Sequence, residues 1–347
     1  MRIDQEAMSS LRLPMGRDPV IGDAVRKISN AMGKKTHDLV ATIICGDEGV
    51  ESLKATIDSL TFCDLIVISF NGSAENFEKV KTYSNGNIDV FKGIFQNFAW
   101  ARNTCLERLT ETNIDAEWLL WVDSDDICSE KLQKGLKRYI QKVEEQDKDG
   151  KIDKIALEVE NNHAGETFLQ VRLYKPYAKW ERCVHEQIIS PGETANIVGA
   201  KIVHYGYDDP DKVAFKRVRN KDLLLQSLEK IGLNPTDCMA LGRMELMDGK
   251  PNESLKWLYA CLCFDVQKDD LNAANYYLGM AFEALGKTET ASELYRESTH
   301  PDAKFKLGML WNDIKLLSQY VLTGPTVNKY GTQYAVFSQI AKEKIFK

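Results

Sequence analysis

The segment Trp118–Asp126, WLLWVDSDD, constrains this chain more than any other. Trp118 to Val122 form an unbroken apolar run, too short for a buried helix and right for an interior β-strand. Three carboxylates, Asp123, Asp125 and Asp126, follow within four residues. A buried strand end does not tolerate that charge unless something offsets it. In an open α/β sheet, ligands bind at the carboxyl ends of the strands. Hard divalent cations such as Mg2+ or Mn2+ take carboxylate oxygens and commonly hold phosphates. Two readings are open at this point: a metal–diphosphate site, or a solvated acidic turn capping the next helix.

The flanking pattern places this strand in a sheet. Leu39–Cys45 reads as a first buried strand ending in Gly46-Asp47-Glu48, followed by a helix bearing Leu53, Ile57 and Leu60. Asp64–Phe70 is a second strand ending in Asn71-Gly72-Ser73, with a polar helix over about 75–84 and a short third strand at Ile88–Phe91. Phe98–Leu109 is helical, with Phe98, Ala101, Cys105 and Leu109 on one face. Strand and helix alternating through short connections predict right-handed βαβ units and a parallel sheet. After a helix at about Ser129–Gln146 and a polar linker, Ile155–Glu160 and Phe168–Tyr174 predict an antiparallel pair around the turn Asn161–Gly165. Trp180–Ile189 carries Val184-His185-Glu186-Gln187, and Ile197–Val203 is a last strand ending in His204-Tyr205-Gly206-Tyr207.

From about Asp211 the pattern is helical only, over 211–231, 235–248, 252–265, 270–285, 288–297 and 301–320. Leu241-Gly242 with Gly249-Lys250 recurs as Leu278-Gly279 with Gly286-Lys287, and a partial copy begins at Leu307-Gly308. The spacing approximates the roughly 34-residue period of tetratricopeptide-type helical hairpins. The expected organisation is an N-terminal arm (1–37, with one helix over Gly22–Met32), an α/β domain (38–208) and a repeat-like helical domain (209–347).

Composition narrows the partners. A net charge of −6 argues against a general polyanion binder. The basic cluster Lys212, Lys216, Arg217, Arg219 and Lys221 reads either as a solvated helix face or as a contact for nucleic-acid phosphates. No run approaches the roughly 20 apolar residues of a membrane span, and MRIDQEAMSSLRLP lacks a secretory apolar core. The expected compartment is the cytoplasm. Eight scattered cysteines without a CxxC pair are expected as free, mostly buried thiols.

Glu48, Asn71-Gly72-Ser73, Asp123 and Asp125 thus flank one crevice. Neither GxGxxG nor GxxxxGK[ST] is present, so a phosphate held there needs a metal rather than a glycine loop. The set Asp47-Glu48, Asn71-Gly72-Ser73, Asn97–Asn103, Trp121–Asp126, Val184-His185-Glu186 and His204–Tyr207, in that order, resembles the inverting GT-A fold glycosyltransferases of family 2. The resemblance spans about Leu39–Tyr207 and is closest to a subgroup with a helical-repeat extension. It implies a Rossmann-like mixed α/β sheet followed by an all-α region, and transfer of a hexose or pentose from a nucleoside-diphosphate sugar, with UDP as the expected nucleotide.

The resemblance also implies roles. Asp123 and Asp125 take the DxD positions, with Asp125 as direct ligand of Mn2+ or Mg2+ and His204 as a third ligand. Glu186 takes the place of the general base, with His185 and Asp126 as alternatives. Asp47, Glu48, Asn71, Gly72, Arg102, Asn103, Asp123 and Ser124 face the nucleotide. One position departs from the family: Phe70 stands where an acidic residue usually meets uridine. The implied acceptor, held between core and helices, is a peptide, protein or glycan, with a modified DNA base less favoured. The helical repeats offer a surface for a homodimer. A different class of reading is a non-catalytic scaffold built on a degenerate transferase core.

Overall fold

The computed structural model describes residues 35–162, 166–206, 210–324 and 334–346. The arm before residue 35 with its expected helix, the end of the 161–165 turn and Tyr207 lie outside the described residues. Strands β1 (Lys35–Cys45), β2 (Leu65–Phe70), β3 (Ile88–Lys92) and β4 (Ile114–Asp123) lie in the order β3-β2-β1-β4, all parallel. The chain winds outward through helices α1 (Val50–Asp58) and α2 (Ala74–Lys81), then returns to β4 through α3 (Phe98–Glu111). A right-handed crossover that reverses direction must change face. Accordingly α1 and α2 pack on one face, through Leu53, Ile57 and Val80, and α3 packs on the other, through Cys105 and Leu109. The reversal leaves a crevice at the carboxyl ends of β1 and β4, where the register sets Ile44 opposite Asp123.

β4 is buried on both faces, which is why its sequence is continuously apolar. Trp118, Leu120 and Val122 enter one core, while Leu119 and Trp121 enter the other.

The sheet as a whole is mixed rather than parallel. After β5 (Asp126–Cys128) and α4 (Glu130–Gln146), strands β6 (Ile152–Asn161) and β7 (Glu166–Tyr174) form an antiparallel pair, and β7 joins β4 antiparallel. Two strands joined by a tight turn have no other choice. β10 (Glu193–His204) follows a small ribbon of β8 (Lys179–Glu181) and β9 (Gln187–Ile189), and completes the eight-stranded order β3-β2-β1-β4-β7-β6-β10-β5. Strand β5 is absent from the sequence expectation, which ran the acidic segment straight into a helix. The cap of α4 is Ser129, whose hydroxyl accepts the Leu132 N–H at 3.4 Å. The acidic residues upstream therefore have other partners.

The C-terminal region is helical: α5 (Pro210–Ile231), α6 (Pro235–Met247), α7 (Pro251–Leu262), α8 (Lys268–Ala284), α9 (Thr288–Glu297), α10 (Ala303–Trp311), α11 (Ile314–Thr323) and α12 (Tyr334–Ile345). The expected single helix at 301–320 is broken where Asn312 turns left-handed (φ 51°) and Asp313 caps α11 through the Leu316 N–H. The recurring Leu-Gly pairs mark helix crossings. A Cβ at Gly242, Gly279 or Gly308 would lie 2.7, 2.6 or 2.8 Å from Leu258, Tyr295 or Leu317 of the following helix. Gly249 and Gly286 sit at matching left-handed turns (φ 70° and 73°) between paired helices. No helix among the described residues is long and apolar enough to cross a membrane. The eight cysteines are free, and all but Cys183 and Cys263 are buried.

Candidate functional site

An open cleft of about 1160 Å³ lies at the carboxyl edge of the sheet, closed on its sides by the β8–β9 loop and by α5. Asp123, Asp125 and His204 line it, and with Asp126 they offer ligand atoms all within 4.8 Å of one another. The pairing of β5 with β10 builds this group, because it sets Asp126 directly opposite His204. The Tyr205 N–H also donates to the Asp125 carbonyl at 3.0 Å.

The neighbouring carboxylates differ sharply. Asp126 is fully buried. Its Oδ2 accepts from Arg172 (2.7 Å) and from the Asp123 N–H (2.8 Å), and its Oδ1 lies 2.8 Å from His204 Nδ1. It is absent from the cleft lining, so the expectation that it is an alternative base gives way to that of an internal tie. Asp125 faces the cleft, with Oδ2 2.9 Å from Lys216 Nζ on α5. Asp123 is gripped by Arg102 at 2.9 Å. Burial opposes its charge, but Arg102, and behind it Arg172 and His204, hold its carboxyl well below the usual carboxylate range.

The residues present fit a divalent cation. Asp126 orients His204 through Nδ1, the usual carboxylate–histidine arrangement of metal sites. Gly206 supplies the space. A Cβ there would fall 2.4 Å from His204 Nε2 and 2.6 Å from Asp125 Oδ2, so any larger residue fills the point on which both atoms converge. An imidazole beside carboxylates suits Mn2+ better than Ca2+.

Burial lowers the pKa of His204, but the Asp126 hydrogen bond and the charges of Asp126, Asp125 and Asp123 outweigh it and raise the pKa above its ordinary value. The ion pair therefore adds stability in full below pH about 6.5 and loses it as pH rises through the raised value. We expect the melting temperature without divalent ions to fall as pH rises above about 6.5, and the fall to flatten in His204→Gln, as read by scanning calorimetry.

Arg102 is the second organiser. It is only 4% exposed, stacks on Trp121 and Trp180 with its guanidinium carbon 4.0 and 4.9 Å from the ring centres, and donates through Nε to Glu186 at 2.8 Å. It ties Glu186 to Asp123 rather than lying free for a nucleotide. Glu186 enters the cleft because the loop before it takes left-handed turns at Arg182 (φ 76°) and His185 (φ 54°). Such backbone is unfavourable outside glycine and persists where surrounding contacts impose it. Here Val184 packs against Leu223, Leu224 and Leu241 of the helical region, and Arg182 binds Asn234 and Asp237 at the start of α6. His185 stands exposed at the rim.

Glu48, Asn71, Gly72 and Ser124 line the cleft. Asp47 also reaches it, but its carboxylate accepts from the Ser73 N–H and hydroxyl and from Asn76 (2.8–3.0 Å), locking the β2–α2 turn. Asn103 is not in the cleft. Its amide exchanges two hydrogen bonds with the Trp180 backbone, 2.9 and 3.0 Å, and pins β8 to α3. Phe70 is wholly buried and stacks on Phe77, so it has no face to offer a base.

Sequence reasoning missed Arg172, Lys216, Arg219 and Gly206 as parts of this site. Arg172 carried a signal, being a charge set within the strand Phe168–Tyr174; buried arginine requires a buried carboxylate. For Lys216 and Arg219 the signal was only their place in a basic cluster.

No family model matches this chain, and no curated relative matches it. Solved structures with partial likeness include a protein described as a glucose-1-phosphate thymidylyltransferase from Bacillus anthracis, in complex with a sucrose. It is 12% identical with TM-score 0.26, covering 35% of this chain and 55% of that one, so the match spans about half of that protein's length. Another is 4-diphosphocytidyl-2C-methyl-D-erythritol synthase from Anaerococcus prevotii, 11% identical with TM-score 0.31, covering 55% of this chain and 99% of that one. Likenesses this weak bear nothing on activity, which rests on the site's own geometry.

Proposed function

We propose that this chain is a metal-dependent inverting glycosyltransferase of the GT-A family 2 type. It moves a sugar from a nucleoside-diphosphate sugar to an acceptor entering between the sheet and the tetratricopeptide-like helices. The observation that carries the reading is the convergence of Asp123, Asp125 and His204, whose ligand atoms lie within 4.8 Å of one another, in a cleft that also holds Glu186. Asp123, Asp125 and His204 would hold Mn2+ or Mg2+, which when bound acts as a Lewis acid toward the departing diphosphate. Glu186 accepts the acceptor's proton on the face opposite the leaving group, and Arg102 holds it in place through Oε1. Glu48, Asn71, Gly72 and Ser124 face the nucleotide. A peptide, protein or glycan acceptor suits the open side of the cleft beside the helices. Two cations of the basic cluster pair within the helical region rather than facing a DNA acceptor, Arg217 with Asp248 and Lys221 with Glu245 (3.2 and 2.7 Å).

The test is a thermal-shift panel of UDP-, GDP-, ADP- and CDP-sugars with and without Mn2+. A true donor at a hundredfold excess over Kd stabilises the fold by about 2.7 kcal/mol, and we expect that shift to require the metal. If no nucleotide sugar raises the melting temperature in either condition, the reading falls.

A further inference from the structure

We propose that Lys216 and Arg219, on the first helix of the C-terminal region, are the diphosphate-binding cations of the cleft, and that each exchanges a carboxylate partner for phosphate when the donor binds. The inference rests on the donor and metal reading above. Three observations carry it. Lys216 Nζ lies 2.9 Å from Asp125 Oδ2 and 3.2 Å from the Gly206 carbonyl. It also falls 2.6 Å from the point where a Cβ at Gly206 would lie, the same point that Asp125 Oδ2 and His204 Nε2 approach. The ammonium therefore shares the space in which a divalent cation would be held, and the two cannot both keep Asp125.

The second observation is Arg219, whose Nη1 lies 2.8 Å from Glu48 Oε1, the acidic residue just after β1. Its guanidinium rests 4.8 Å above the Phe98 ring, so its direction is fixed by packing as well as by charge. One helical turn separates the two cations, and both line the cleft beside Asp123 and Asp125. The third is that α5 is anchored: Leu223 and Leu224 pack with Val184 of the Glu186 loop.

A divalent cation already held by two carboxylates leaves the charge of a diphosphate, and still more that of the departing nucleoside diphosphate, largely unmet. Lys216, turned off Asp125, and Arg219, turned off Glu48, supply the remainder by charge-assisted hydrogen bonds. Donor binding is thereby tied to the helical region, because the cations belong to α5 and not to the sheet.

Lys216→Met, Arg219→Met and, as a control on the exposed part of the same helix, Lys230→Met are compared with wild type. Calorimetry reads binding of Mn2+ alone. It then reads, in saturating Mn2+, binding of whichever of UDP, GDP, ADP or CDP the wild type holds most tightly. In Lys216→Met, Mn2+ alone is expected to bind roughly tenfold tighter and the nucleoside diphosphate roughly tenfold weaker, opposite signs from one change. Arg219→Met weakens the diphosphate and leaves Mn2+ unchanged, and Lys230→Met matches wild type in both. Lys216→Arg, which keeps the charge, retains the nucleoside diphosphate and guards against a folding artefact. If wild type binds both ligands but Lys216→Met weakens both or alters neither, the assignment is overturned and the donor site stands. If wild type binds neither ligand, the donor reading falls and takes this assignment with it.

Discussion

Asp125→Ala is expected to abolish sugar transfer, by roughly 10³-fold or more, while leaving the fold intact. The residue faces the cleft and is the carboxylate paired with Lys216. Besides Lys216 its carboxylate meets only the edge of His204, at 3.5 Å from Nδ1, and the link to Tyr205 runs through its backbone carbonyl. Both Asp125 and Lys216 are about one-fifth exposed, so water can solvate the lysine left behind. A partly solvated pair of this kind contributes on the order of 1 kcal/mol or less. Transfer measured with the donor found by thermal shift, Mn2+ binding by calorimetry, and the melt of the same variant together decide the matter. Unaltered turnover, or loss of Mn2+ binding only in company with unfolding, contradicts the role given to this side chain.

The neighbouring substitution, Asp126→Ala, is expected to behave in the opposite way and to destabilise the fold by about 3–5 kcal/mol, the typical cost of breaking a buried ion pair. Arg172 is 2% exposed and would lose its counter-charge at 2.7 Å, the Asp123 N–H would lose its acceptor, and His204 would lose the bond at Nδ1. Arg172 is too deep to reach solvent in compensation, whereas His204 keeps an edge on the cleft. Asp126→Asn, which keeps an acceptor, is expected to cost less than alanine. Urea denaturation of wild type and both variants reads the difference. A midpoint for Asp126→Ala matching that of wild type would falsify the buried network described for this residue.

The order of strands and helices through β4 was legible because each element declares itself locally. Ser73, Asn97 and Ser129 cap the helices that follow them, and β4 is apolar on both faces because both are covered. The antiparallel β6–β7 pair was legible from its turn. The break at Asn312 was not, since Asn-Asp within an otherwise helical pattern is a weak stop. The site was legible as a set of residue types at strand ends, but several roles were not. Arg102 and Asn103 are adjacent on one helix, yet one binds two cleft carboxylates and the other binds β8. Phe70 reads as a departure at a nucleotide contact, whereas its ring belongs to the core.

By itself, the sequence determined that β4 must be an interior strand and that its acidic end must meet positive charge, because an apolar run of that length has to be buried and its carboxylates cannot be buried alone. It did not determine which carboxylate would meet which charge. Asp125 and Asp126 are chemically identical neighbours. Pairing of β5 with β10, far away in the chain, turns one toward Arg172 and His204 in the interior and leaves the other facing the cleft. Asp125 lies in the turn after β4 and Asp126 opens β5, so once that pairing forms, one aspartate is available to a ligand and the other to the fold.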